Sequence, residues 1–189
     1  MASNVKHLMT VKDVKALPYD ECHRYELIEG ELHVSPAPGI PHQLVLLNLQ
    51  VELANYLRQN PIGILVPGPG AELSEHNYVI PDIVFVRNQR WPNIVANDEF
   101  NAATDLVIEI VSPGSKNRKR DLQLKHMLYG KYGFQEYWAV ECWSRSVSVF
   151  RLNGNTLEEV MTLKEDDTLE SPLFPGLSLK LSAIFYQPS

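Results

Sequence analysis

Two stretches of this chain have the length and β-branched richness of buried strands, and each carries one carboxylate inside it. The first is Tyr78-Val79-Ile80-Pro81-Asp82-Ile83-Val84-Phe85-Val86, the second Leu106-Val107-Ile108-Glu109-Ile110-Val111. An ionised carboxylate among such neighbours is costly unless it meets a cation or a full set of hydrogen-bond donors. If the two strands lie side by side, Asp82 and Glu109 can hold one hard metal ion between them. The pair is therefore a candidate site as well as a constraint on packing.

The order of elements around these runs reads as α/β. Thr10-Val11-Lys12-Asp13 caps a short helix that stops at Pro18, so residues 1–20 form a lead-in. Tyr25 to Val34 alternates apolar and polar residues around Gly30, which predicts an N-terminal β-hairpin or bent strand ended by the Pro36–Pro41 breaker cluster. From His42, leucines 46, 49, 53 and 57 form one helical stripe that Asn60-Pro61 closes. Strands are expected at 62–66, 71–73, 80–86 and 105–111. A helix capped by Ser115 then runs to about Tyr132, where Gly133 ends it. Segments 136–141, 146–152 and 157–163 read as a C-terminal antiparallel extension, with Asn153-Gly154 turning the last hairpin. This predicts a mixed central β-sheet flanked by helices.

The 189 residues are expected to form a single domain, 1–189. No apolar run is long enough to span a bilayer, and the first residues lack the apolar core of a secretory signal. Cys22 and Cys142 form no disulfide framework, so two reduced thiols and a cytoplasmic location are expected. The net charge of -6 argues against a protein that simply coats nucleic acid, but it permits a local basic face that docks phosphates.

Two strand carboxylates suit Mg2+ or Mn2+, with the Ile110 backbone carbonyl as a third ligand at the same sheet end. A metal with open, water-filled positions activates hydroxide and stabilises charge on a phosphoryl oxygen, so phosphodiester hydrolysis is the matching reaction. A nearby lysine would orient the water or neutralise the transition state. Val111, on the same strand face as Glu109, can do neither. Lys125 on the following helix is the substitute; its plain alternative is a surface ion pair with Asp121, four residues earlier.

Pro81-Asp82 followed by Glu109-Ile110-Val111 resembles the PD-(D/E)xK nuclease superfamily with its terminal lysine missing. Further stretches resemble its Uma-type endonuclease branch, formerly a domain of unknown function. They are Tyr25 to Glu31, His42 opening a helix, Ile80 to Phe85, Val107 to Pro113, and Tyr129 through Glu136-Tyr137-Trp138, spanning roughly residues 20 to 185. The resemblance implies a restriction-endonuclease-like fold and metal-dependent DNA cleavage, with Asp82 and Glu109 as metal ligands. It also implies a lysine on the following helix, which matches Lys125, and an acidic residue from an N-terminal element, which matches Glu26. Glu29 and Glu31 are the solvated alternates.

Lys116, Arg118 and Lys119, after the Glu109 strand, are expected to border the site and contact DNA phosphates; the alternative is a solvated charge patch. His42 is a candidate phosphate contact or proton carrier, or simply a helix-start histidine satisfied locally. Tyr137 and Trp138 read as core or interface, and Trp91 and Trp143 as packing residues before base-stacking ones. The alternative to an endonuclease is a catalytically inactive nuclease-fold protein that binds nucleic acid or a protein partner. A third reading leaves Asp82 and Glu109 as structural groups paired with internal cations. Paired cuts in a duplex would favour a homodimer.

Overall fold

In this computed structural model, which describes residues 8–18, 20, 22–111, 114 and 118–186, local capping chemistry starts the first element. The Thr10 N–H donates to the Asp13 carboxylate at 2.8 Å and the Asp13 N–H returns a bond to Thr10 Oγ1 at 3.3 Å, a capping box that opens α1 (Val11–Lys15). β1 (His23–Ile28) and β2 (Glu31–Pro36) form the hairpin, turned by Glu29 and Gly30 at φ 50° and 73°. α2 (Ile40–Gln59) follows, with Pro41 in its first turn, where a missing N–H costs nothing, and Asn60 at its end.

β3 (Gly63–Pro67), β4 (Ala71–Ser74), β5 (Asn77–Val79) and β6 (Ile83–Arg87) come next. They are followed by α3 (Trp91–Ile94), β7 (Val95–Ala96), β8 (Glu99–Phe100) and β9 (Leu106–Ile110). A π-helical segment, Arg120–Lys125, leads into α4 (His126–Tyr132), which Gly133 ends at φ 85° as its sequence position predicts. β10 (Glu136–Glu141), β11 (Ser146–Asn153) and β12 (Thr156–Lys164) form the C-terminal meander. β13 (Thr168–Leu169), β14 (Leu179–Lys180) and α5 (Leu181–Ile184) complete the described chain. Ser115, the expected cap of the second long helix, lies outside the described residues.

The central sheet runs β12-β11-β10-β9-β6-β3, with β9 and β10 parallel and the other neighbours antiparallel. The parallel pair is joined through the π-helical segment and α4, the helical crossover that a parallel pair needs. One face of this sheet packs on α2 and the C-terminal segment, through Val45, Leu49, Leu53, Ile108, Trp138 and Phe174. The other face packs on α4 and on a second six-stranded sheet, β2-β1-β5-β4-β8-β7, through Val84, Val107, Tyr129 and Val79. Tyr137 and Trp138, adjacent on β10, are both fully buried on opposite faces, as the sequence predicts. Burying a Leu or Phe side chain contributes about 1.5–3 kcal/mol, so these two layers hold the sheet rigidly.

One expectation fails in an informative way. The run 78–86 reads as a single strand but divides between the two sheets: β5 joins the N-terminal sheet and β6 the central one. Pro81 has no N–H for a ladder bond, and the Ile80 N–H is taken by the Glu26 carboxylate at 2.9 Å. Asp82 therefore sits in the break, one residue before β6.

Candidate active site

The register of the central sheet brings the two carboxylates together. β6 and β9 pair Ile83 with Ile108 and Val84 with Val107, so extending the ladder by one residue sets Asp82 opposite Glu109. Glu109 alternates with Ile108 and Ile110, which lie in the α2 layer, and so faces α4 and the N-terminal sheet. Asp82 and Glu109 are 4% and 3% exposed, and both line one small polar cleft of about 30 Å³, room for about one water or ion.

Each carboxylate has its own partners. Asp82 Oδ2 accepts from the Ile110 N–H at 2.8 Å and from His42 Nε2 at 3.2 Å, while among the described residues Oδ1 accepts only from Arg24 Nη1, at 3.0 Å. Burial raises the Asp82 pKa, but His42, the Ile110 N–H and the Lys125 charge outweigh it and hold the carboxyl below its usual value. His42 is buried at the start of α2, and its Nδ1 meets no partner among the described residues.

Glu109 Oε1 accepts from Lys125 Nζ at 2.9 Å and from the Tyr129 hydroxyl. Lys125 Nζ also lies 2.7 Å from Glu26 Oε1, so one buried ammonium bridges two carboxylates. Asp121, Lys125 and Tyr129 recur at four-residue steps across the π-helical segment and α4, which turns all three inward; a widened turn of this kind is frequent at functional sites. Burial pulls the Lys125 pKa down, but Glu109, Glu26 and Asp121 raise it above its usual value, so the side chain stays protonated. The surface ion pair between Lys125 and Asp121 is replaced: both residues are buried, and Asp121 instead holds Arg120, with Nε at 2.6 Å and Nη2 at 3.1 Å.

Among the described residues the cleft carries more acid than base: Glu26, Asp82, Glu109 and Asp121 face Arg24, Arg120 and Lys125, four carboxylates against three permanent cations. Glu109 absorbs the surplus: burial raises its pKa, Lys125 lowers it, and Asp82 and Glu26 raise it again, to about 8. A divalent cation would relieve this surplus, and among the described residues Glu109 Oε2 accepts no hydrogen bond. On β9 the Val111 N–H turns toward β10, bonding Val140 O at 2.8 Å, so Ile110 turns its own N–H and carbonyl toward Asp82. Opposite it stands Pro81, with no N–H for that carbonyl. These oxygen donors fit a hard cation. Among the described residues no three His, Cys, Asp or Glu side chains are grouped so as to hold a metal ion by themselves.

The other sequence candidates distribute as follows. Glu26, on β1, lines the cleft, whereas Glu29 is at the surface with Lys131 at 2.8 Å. Lys116 lies outside the described residues. Arg118 and Lys119 are exposed and do not line the cleft, and Arg118 pairs with Glu141. Among the described members of that basic run, Arg120 reaches the cleft, bonded also to Ser35 Oγ. Trp91 packs edge-on against Phe100 as expected, whereas Trp143, also expected to pack, is 72% exposed. Sequence reasoning did not single out Arg24 or Tyr129. Both carried a spacing signal: Arg24 shares a strand face with Glu26 two positions on, and Tyr129 lies four residues after Lys125.

The mixed sheet with a helical crossover between its parallel strands, and the carboxylates at the end of two neighbouring strands, agree with the restriction-endonuclease-like fold that the sequence resembles. Residues 11–182 match the family profile described as Uma2, "Putative restriction endonuclease", and the chain belongs to that family. The fold is also similar to the crystal structure of a putative nuclease belonging to DUF820 from Anabaena variabilis ATCC 29413. The TM-score is 0.75 at 22% identity, over 94% of this chain and 97% of that one. No curated protein matches the sequence. No described helix is long and apolar enough to cross a membrane.

Proposed function

We propose that the protein is a metal-dependent endonuclease that hydrolyses DNA phosphodiester bonds, with Asp82, Glu109 and the Ile110 carbonyl as ligands for Mg2+ or Mn2+. The observation that carries this reading is the surplus buried carboxylate in a cleft flanked by two arginines. When bound, the ion would supply an activated water and charge stabilisation on the phosphoryl oxygen. Lys125 has too high a pKa for a general base. Its part is to fix Glu109 and Glu26 and to neutralise charge that builds on the phosphate. Tyr129 helps by occupying the same Glu109 oxygen, which keeps Oε2 available. Glu26 holds Lys125 in turn. Lys119 and Arg118 lie on the segment leading into Arg120 and would meet the DNA backbone beyond the cleft. Cutting both strands of a duplex would call for a two-fold homodimer.

A second reading is favoured by one observation: Asp82 and Glu109 each already have a cation of their own, Arg24 and Lys125. That is the pairing expected if the two carboxylates are structural groups held by internal cations, and it equally suits a catalytically inactive nuclease-fold protein that binds nucleic acid or a protein partner. Incubating supercoiled plasmid with the protein in Mg2+, Mn2+ or a chelator separates the two. The endonuclease reading expects metal-dependent nicking that Asp82→Ala abolishes. A folded protein that binds metal but never nicks would favour the second.

A further inference from the structure

Two arginines line the cleft, and they are held in different ways. Arg120 has all three guanidinium nitrogens engaged, two by Asp121 and one by Ser35 Oγ, and its side chain is 11% exposed. Arg24 is held at one nitrogen only, Nη1 to Asp82 Oδ1 at 3.0 Å, and its side chain is 34% exposed. Among the described residues its Nε and Nη2 have no partner. The two Asp82 oxygens differ in the same sense. Oδ2 is fixed by the Ile110 backbone and by His42 on α2, whereas among the described residues Oδ1 meets only Arg24. Oδ1 is thus the oxygen that can turn to a cation, and Arg24 is what covers it.

We propose that Arg24 is an exchangeable phosphate-binding residue: it neutralises Asp82 in the metal-free protein and passes to a phosphate oxygen of the nucleic acid when a divalent cation takes Oδ1. This rests on the reading of the cleft as a metal-dependent nuclease site. The physical cause is like-charge exclusion. A divalent ion and a guanidinium cannot share one carboxylate oxygen at contact distance without strong repulsion. Arg24 on β1 pairs in register with Ser35 on β2, so its backbone stays fixed while the side chain swings. The released planar fork, anchored beside Asp82, matches the geometry of two non-bridging phosphate oxygens. Arg120, locked by Asp121 and Ser35, stays behind as a fixed charge. No bond is made or broken in this exchange; one ion pair is replaced by another.

The test separates metal from nucleic acid. Mn2+ is titrated calorimetrically into the wild type, Arg24→Met and Arg24→Lys without DNA, with thermal unfolding as the control for folding. A short duplex is then titrated in Ca2+. With its competitor removed, Arg24→Met should bind Mn2+ more tightly, by about tenfold for one charge-assisted contact, and duplex more weakly by a similar factor. Arg24→Lys should recover part of the duplex affinity, since it keeps the charge without the fork. Equal or weaker Mn2+ binding by folded Arg24→Met would overturn the proposal, as would unchanged duplex affinity. Mn2+ binding by Arg24→Met alone would support it in its strongest form. If the wild type binds Mn2+ but no duplex, the nuclease reading fails, and so does the transfer of Arg24 to phosphate; the Mn2+ arm still decides whether Arg24 competes for Asp82. If neither protein binds Mn2+, both the exchange and the metal site are overturned.

Discussion

Lys125 and Glu109 stand 16 residues apart, one on a π-helical segment and the other on a core strand, and meet at 2.9 Å with both side chains buried. The contact ties the helical crossover to the sheet at the point where the carboxylates gather. It also makes stability and site chemistry depend on the same charges.

Removing that ammonium should be expensive. Lys125→Met leaves Glu109 and Glu26 without their shared cation in a desolvated setting. Breaking a buried pair from one side costs about 3–5 kcal/mol. Denaturant unfolding above pH 8, where Glu109 is ionised, should show a loss of that order, and the double variant Lys125→Met, Glu109→Gln should recover part of it, since only Glu26 is then left without its cation. An additive double variant would mean the pair is not coupled.

Glu109 sets the pH dependence. Its pKa is pushed up to about 8 by burial and by neighbouring carboxylates, while an unfolded Glu titrates at about 4.3. The native state therefore holds a proton that the unfolded state releases, so the contribution of this group to stability falls as pH rises from about 4.3 to about 8 and is flat above. Metal binding reverses the sign, because it favours the ionised form. Mn2+ affinity should rise with pH up to about 8 and then level off. Glu109→Gln should flatten the profile along with weakening binding, and an unchanged slope would move the titration to another group.

How much of this was legible in the sequence follows from the physics of each residue. Asp82 and Glu109 stood out because carboxylates in apolar runs are costly, and Lys125 followed from the valine at 111. Arg24 gave no such contrast, since an arginine on a half-exposed strand is ordinary. Tyr129 appeared only inside a stretch that resembles the family, and nothing in its own neighbours marks a hydroxyl aimed at Glu109. The run 78–86 hid a change of sheet because apolar pattern does not record which neighbour a strand pairs with. The strands of two to four residues in the N-terminal sheet are too short for any period to show.

Gly133 tests the crossover independently of the site. It ends α4 at φ 85°, and its N–H bonds the Tyr129 and Gly130 carbonyls, each at 3.1 Å. A Cβ there meets no atom within 4 Å, so Gly133→Ala carries only the backbone strain of the left-handed region. Thermal unfolding should show a loss of about 1–2 kcal/mol. A neutral substitution would mean that the helix end relaxes.

The exposed basic residues should act through phosphates. Replacing Arg118 and Lys119 with alanine should weaken duplex binding and reduce the salt slope by about two contacts' worth, leaving Mn2+ affinity unchanged. A salt series of binding isotherms reads both quantities, and unchanged slopes would leave the two residues as solvated surface.

The central claim is that Asp82 and Glu109 share one divalent ion. Calorimetric titration of Mn2+ into the folded protein at pH 8, beside Asp82→Ala and Glu109→Gln, measures it most directly. The account predicts one ion bound per chain by the wild type and a large loss of affinity in each variant. Mn2+ binding that neither substitution weakens, or no binding by either the wild type or Arg24→Met, would contradict it.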